Sequence, residues 1–360
     1  MNYPVNPSVL LEYARLYYNW YWVVVILFTV FAIIYTNKNN KQFNLIYPLV
    51  SGTIIILFIT FRPPVVKYFG DTANYLTSFE HYYDRPPDFE AKDIGHEWLQ
   101  AHTQPFGHFV FFFAYALIYV GAQFLTVKKI FPQYAAVAFI IIIASYSFFG
   151  YSFNGMRNGA ACALVMYGIV NSTWIIKILL FAVGWSFHSS VLLPIGVYFL
   201  VFLYRKTNLY LTLWLLSLIV NAFVPKILGH MDWLEDFIGE DKRLDYFENS
   251  FEDTGTTFSS MGFRWDFVLY SAVPIFLGWY TIIRNRISDF YYSLFFNLYV
   301  VTNTAWLFTI WIPYTNRFAY LSWFVYPIIL FYPFILNPNL RNNRAINLLL
   351  AGNLLFTLIF

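Results

Sequence analysis

The chain has 360 residues, of which 59% are hydrophobic and 11% charged, with a formal net charge of +3. A soluble domain carries about a quarter charged residues, so that class is excluded. Apolar runs long enough for a ~30 Å hydrocarbon core recur along the chain, which makes it a polytopic membrane protein. The single cysteine, Cys162, lies inside one such run, so no intrachain disulfide is possible.

Lipid forces a spanning backbone to satisfy its own hydrogen bonds, so the apolar runs are read as helices. Met1 to Asn19 lacks a basic region followed by an apolar core, so no cleavable signal peptide is expected. Residues 8–18 read as an interfacial amphipathic turn. About twelve spans follow: 16–36, 43–61, 105–125, 134–150, 157–172, 174–187, 189–204, 209–224, 264–283, 290–309, 317–336 and 344–360. The sixth and the last are short enough to be tilted or partly re-entrant. Together residues 1–360 read as a single integral membrane domain, with two long loops at about 62–104 and 225–263.

Orientation follows from charge. The short connections carry Lys38, Lys41, Lys128, Lys129, Lys177, Arg205, Lys206, Arg284, Arg286, Arg341 and Arg344 against one acid, Asp289. Short basic loops face the cytoplasm, so both long loops and both termini are expected outside. The first long loop and the helix start after it also hold His81, His96, His102 and His108. Two long loops on one face suggest a lid over an outward-facing site.

Four arginines fall at the expected outer ends of helices, where the positive-inside rule does not place them. Arg62 ends the second span in FRPP, and Arg157 opens the fifth in GMRNGAACA. Arg264 opens the ninth in GFRWDF, and Arg317 opens the eleventh in PYTNRFAY. A charge at membrane depth normally marks function or a paired site, and a guanidinium matches phosphate oxygens bidentately. Each arginine alone could snorkel to the interface, but four together favour an embedded anionic group. Asp266 could instead neutralise Arg264. Gly155, Gly159 and Ala163 form a small-residue stripe on which helices can approach closely.

Asp71, behind Gly70 just past the second span, is a candidate general base. It could equally cap a helix running through Tyr75 and Phe79. Tyr75 and Asp266 are candidates for glycan contact, although tyrosine is also the ordinary interface residue. His188, in WSFHSSVLLP, could donate to a phosphate or shuttle a proton, or simply pack. No histidine spacing suggests a metal site, and no nucleotide-binding, hydrolase or nucleic-acid motif occurs. No metal or cofactor and no nucleic-acid partner is expected.

Arg62 followed by Gly70, Asp71, Thr72 and Tyr75, Arg157 followed by small residues, Phe187–Ser190 (FHSS), Gly262–Phe267 (GFRWDF) and Asn316–Arg317 stand in an order that resembles the EpsG-type membrane proteins, a group of exopolysaccharide and O-antigen (Wzy-like) polymerases. Each motif is short, so the likeness rests on their order over most of the chain. Where the family often has Glu-Pro-Gly before the third span, this chain has Gln104, Pro105, Phe106 and Gly107, which removes one acid. The resemblance implies an inner-membrane glycosyltransferase with a GT-C-like helical fold, acting at the outer face. Its substrate would be a polyprenyl-pyrophosphate-linked oligosaccharide held among membrane lipids, and a chain-length regulator is an implied partner. Arg157, Arg264, Arg317 and Arg62 would then bind the pyrophosphate, and Asp71 or His188 would handle the proton. A flippase for lipid-linked oligosaccharide is the first rival, but no internal repeat of the kind transporters show is visible. A membrane acyltransferase acting on polysaccharide is the second.

Overall fold

The structure, a computed structural model, describes residues 6–35, 40–81, 92–223, 263–311 and 315–359. Among them the regular structure is entirely helical. In chain order the helices are α1 (Pro7–Tyr35), α2 (Lys41–Thr60), α3 (Val66–Phe69), α4 (Thr72–His81), α5 (Ile94–Thr103), α6 (His108–Ile130), α7 (Ala135–Ile143), α8 (Tyr146–Phe153), α9 (Met156–Val170), α10 (Trp174–Phe187), α11 (Leu192–Leu203) and α12 (Thr207–Phe223). They continue as α13 (Trp265–Gly278), extended by a π-helical stretch to Arg284, α14 (Phe290–Leu307), α15 (Asn316–Trp323), α16 (Tyr326–Phe331), α17 (Pro333–Leu336) and α18 (Asn343–Ile359).

Each of the twelve expected spans coincides with a helix or a bent pair of helices. Among the described residues, four helices are long and apolar enough to cross a membrane, or six if each bent pair is one span. The other apolar helices run 10–17 residues, fewer than the ~20 that cover a ~30 Å core. Two expectations change. The interfacial turn at 8–18 is the first part of one continuous helix, because residues 8–35 contain neither Gly nor Pro to break it. The stretch 62–104 is not an open loop but carries α3, α4 and α5. The second expected loop falls almost wholly on 224–262, outside the described residues.

The two bends have local causes. Between α7 and α8 the axis turns by 65°. Ser145 there takes the Ile142 carbonyl with its hydroxyl at 2.7 Å and caps α8, and such back-bonding competes with the helical ladder. Between α15 and the α16–α17 segment the turn is 50°. Pro327, in the first turn of α16, cannot donate to the Trp323 carbonyl, and its ring crowds that oxygen.

The chain forms two compact units, Met1–Ile195 with Phe331–Phe360, and Gly196–Leu330. In the first, α7 is apolar all round (AAVAFIIII) and wholly buried, as a core helix should be. The carbonyls freed at its broken end find donors on α18: Asn353 Nδ2 to Ile141 O at 3.0 Å and Thr357 Oγ1 to Ala144 O at 2.8 Å. Its other end is held by Asn44 of α2, whose side chain donates to Gln133 O and accepts from Ala136 N. α9 lies along α6 and α10, and small residues set the approach. A Cβ on Gly168 would come within 2.8 Å of the Phe181 ring, and one on Gly184 within 3.0 Å of Ala161 O. Of the expected stripe, Gly159 meets Tyr151 closely and Ala163 is buried, whereas Gly155 faces open space to 3.9 Å.

The second unit is organised around Asn303 of α14, fully buried. Its Oδ1 accepts from Trp214 Nε1 of α12 at 2.8 Å, and its Nδ2 donates to Ser271 Oγ of α13 and Ser322 Oγ of α15. Ser271 Oγ also accepts from Trp323 Nε1 at 2.8 Å. One amide thus joins four helices that hydrocarbon-like side chains alone would not register. Replacing Asn303 by Leu orphans the Trp214 N–H and takes one partner from each serine, which keep Trp323 Nε1 and Ala319 O. It should lower the stability of the detergent-solubilised protein by about 1–3 kcal/mol in an SDS unfolding titration, with Ser322→Ala costing less. Wild-type unfolding of Asn303→Leu would show that the network does not hold this unit.

Candidate functional site

The first unit draws the separated motifs together. Two prolines, Pro63 and Pro64, end α2 after Arg62. The Arg62 side chain turns inward and is fully buried. Its Nε donates to Thr72 Oγ1 at 2.7 Å, and its fork reaches the Ile59 carbonyl and Met156 Sδ. The guanidinium lies over the Phe112 ring at 4.2 Å, which offsets part of the cost of burying a charge. Thr72 Oγ1 sits 2.7 Å from Phe69 O and 3.1 Å from Phe153 O. Arg62 therefore ties the turn at 70–72 to the α8–α9 junction.

Gly70 is required there twice over. Its φ of +51 lies in the left-handed region, and a Cβ would meet Asn154 Oδ1 at 2.5 Å. The next residue, Asp71, donates its own N–H to that same oxygen at 3.0 Å. The Asp71 carbonyl accepts the Tyr75 N–H, which places it at the head of α4, and its carboxylate accepts from Asn74 Nδ2 at 3.2 Å. The capping position and a base held three residues from Arg157 in sequence, through Asn154, are compatible with the same geometry.

Arg157, half-buried in the first turn of α9, pairs with Asp93 at 2.9 Å, Nη1 to Oδ2. The other Asp93 oxygen accepts the backbone N–H of Ser189 at 3.1 Å. Arg157 Cζ also stands 6.0 Å from the Tyr75 ring centre, and its buried Nε has no hydrogen-bond partner. His188 precedes the turn that Asp93 grips. Its Nδ1 accepts from Ser190 N at 3.2 Å and lies 2.8 Å from Ser190 Oγ, so the neutral ring carries its proton on Nε2. Behind Arg157, buried His96 of α5 places Nδ1 2.7 Å from Tyr115 OH, with the Tyr75 ring edge-on at 6.3 Å. Arg62, Asp71, Tyr75, Arg157 and His188 thus share one unit, linked through Thr72, Asn154 and Asp93.

In the second unit Arg264 takes Asp266 in a two-pronged pair, Nε to Oδ1 at 2.9 Å and Nη2 to Oδ2, and stacks on Phe267 at 3.7 Å. The neutralising partner is therefore present, and Asp266 stands in the first turn of α13, where the helix dipole favours an acid. Arg317 is in the first turn of α15, half-buried. Among the described residues no group of three His, Cys, Asp or Glu side chains could hold a metal ion.

Asp93, Asn154, His96 and Tyr115 were not legible as site residues. Asp93 is 64 residues from Arg157 and 96 from Ser189. The one signal was an acid at the head of a short helix, in KDIGHEW, with a glycine two residues on. His96 has a testable electrostatic state. Burial, with the Arg157 charge beside it, holds its pKa well below the usual histidine value. The fold therefore favours the neutral ring, and the unfolded chain binds the extra proton first as pH falls through ~6.5. Stability should drop below that pH by up to about 1.4 kcal/mol per unit. Unfolding titrations at pH 7.5 and 5.5 should show a smaller loss for His96→Gln; equal losses would refute the assignment.

A model of the EpsG family matches residues 45–360. No curated protein and no solved structure matches the chain significantly. The family match covers every motif whose order carried the resemblance, together with all the residues linked around Arg157. The chain belongs to the EpsG family, a family of exopolysaccharide-related membrane polymerases.

Proposed function

We propose that this protein extends a polysaccharide by transferring a growing glycan from polyprenyl pyrophosphate to the sugar of a second lipid-linked repeat unit, at the outer face of the bacterial inner membrane. The observation that carries this reading is the convergence around Arg157, where a half-buried guanidinium, the Asp71 turn and the His188 turn are held in one unit. The short basic connections support an outward-facing site. The reading takes all twelve apolar segments as crossings of a GT-C-like integral membrane domain.

In the reaction, the acceptor hydroxyl attacks the donor's anomeric carbon. The hydroxyl proton passes to Asp71, the new glycosidic C–O bond forms, and the old C–O bond to pyrophosphate breaks with its electron pair leaving on the phosphate. Direct attack inverts the anomeric centre. Fixed positive charge stabilises the leaving group, and Arg157 supplies it. Tyr75 borders Arg157 and is positioned in this reading to flank the first sugar. Arg62, enclosed by Phe112, Thr72 and Met156, holds the Asp71 turn in place. Arg264 and Arg317 keep the guanidinium chemistry of further phosphate ligands, with Arg264 already shared by Asp266. His188 is the alternative proton carrier.

Two variants test this with purified protein and a lipid-linked repeat unit in the absence of nucleotide sugar. Arg157→Lys should insert normally and lose at least tenfold in polymer formation, because a point charge cannot reproduce a planar fork of donors. Full activity would return Arg157 to an interfacial or packing role. Asp71→Asn keeps the size and the helix cap but takes no proton at neutral pH. Polymer formation should fall by roughly 10²–10⁴ while lipid-linked substrate is still retained. Near-normal polymer would leave Asp71 as a cap and move the proton to His188.

A further inference from the structure

We infer that Asp93 is a positioning residue for this site, one carboxylate that aims the Arg157 fork and fixes the Ser189 turn behind His188. The inference rests on the reading of Arg157 as a phosphate ligand and adds a residue that neither the motifs nor the family match single out. Asp93 stands immediately before α5, the position of a helix cap, yet its side chain makes no capping bond to that helix. Both oxygens are used elsewhere, on Arg157 Nη1 at 2.9 Å and on the Ser189 N–H at 3.1 Å. The side chain is only 15% exposed.

A second feature fixes where that carboxylate stands. Gly95, two residues on, meets the end of α10 so closely that a Cβ would lie 2.4 Å from Ser186 Oγ and 3.0 Å from the Ser186 backbone. The start of α5 is therefore seated directly against the segment that leads into His188. From that seat Asp93 holds one Nη of Arg157, while the arginine side chain stays 35% exposed. The guanidinium is held in a defined direction with part of it open to another anion.

The sign of the effect separates positioning from simple charge balance. Removing a carboxylate makes the surroundings of Arg157 more positive, which by electrostatics alone tightens anion binding. If Asp93 aims the fork, its loss weakens binding despite the added positive charge. The experiment is titration of inorganic pyrophosphate into the full-length protein in nanodiscs, for wild type, Arg157→Lys, Asp93→Asn and Asp93→Glu. Asp93→Asn is expected to bind at least tenfold more weakly. Asp93→Glu, which keeps the charge and the fold but moves it by one methylene, is also expected to weaken binding. In turnover, both should raise KM for the lipid-linked donor more than they lower kcat. Unchanged or tighter pyrophosphate binding in Asp93→Asn, or wild-type binding in Asp93→Glu should the Asn variant fail to fold, would overturn the inference. If wild type and Arg157→Lys bind pyrophosphate alike, the reading of Arg157 itself falls and takes this role with it. Loss in Arg157→Lys with none in the Asp93 variants removes the inference alone.

Discussion

Hydrocarbon cannot solvate a peptide group, and that constraint accounts for several of the helix ends among the described residues. At the two ends of α7, side chains from other helices take the orphaned carbonyls and N–H. Asn353 and Thr357 do so at the end of α7, and Asn44 does so at its start. Thr315, just before α15, accepts from the Trp306 indole and donates to Thr309 O. Asparagine, serine and threonine are the fasteners, because each offers a donor and an acceptor on a short side chain. The apolar majority fills space, and this polar minority decides register.

The same constraint governs the cations. A guanidinium is tolerated out of water only when its N–H groups and its face are both occupied. Arg62 reaches that state within the protein, between Thr72, the Ile59 carbonyl, Met156 and the Phe112 ring. Arg264 reaches it with Asp266 and Phe267. Arg157 is less enclosed: it shares Asp93, borders Tyr75 and keeps a side chain that is 35% exposed. Three residues of one type, each at a helix end, are thus placed in different electrostatic situations by their neighbours.

Long-range contacts around the site come in a compact set. The Gly70–Thr72 turn is fastened to Phe153 and Asn154, one turn ahead of Arg157, and the Ser189 turn is fastened to Asp93. Phe187 adds an edge contact to Tyr115 at 5.6 Å, beside His96. Motifs separated by 80 to 100 residues of chain thereby become parts of one rigid surround.

The sequence by itself determined the helical class, the position of every apolar segment and the family resemblance, because each follows from local composition, period or motif order. It also pointed to Arg157, Asp71 and His188, since charged or titratable groups at helix ends in lipid stand out against an apolar background. It offered α4 only as one alternative, a helix capped by Asp71 and running through Tyr75 and Phe79, and gave no sign of α3 or α5, because short helices lack the long apolar period that makes a span legible. Nor could it choose between roles for the four arginines, because burial, an acid partner and a stacking ring come from other helices. Asp93 is the clearest case: in the sequence it is one acid among many in a polar stretch. Only the packing of α5 against α10, permitted by Gly95, brings its carboxylate to Arg157 and Ser189. A role made of contacts across 64 and 96 residues is decided by tertiary structure, since no local pattern encodes which distant groups will meet.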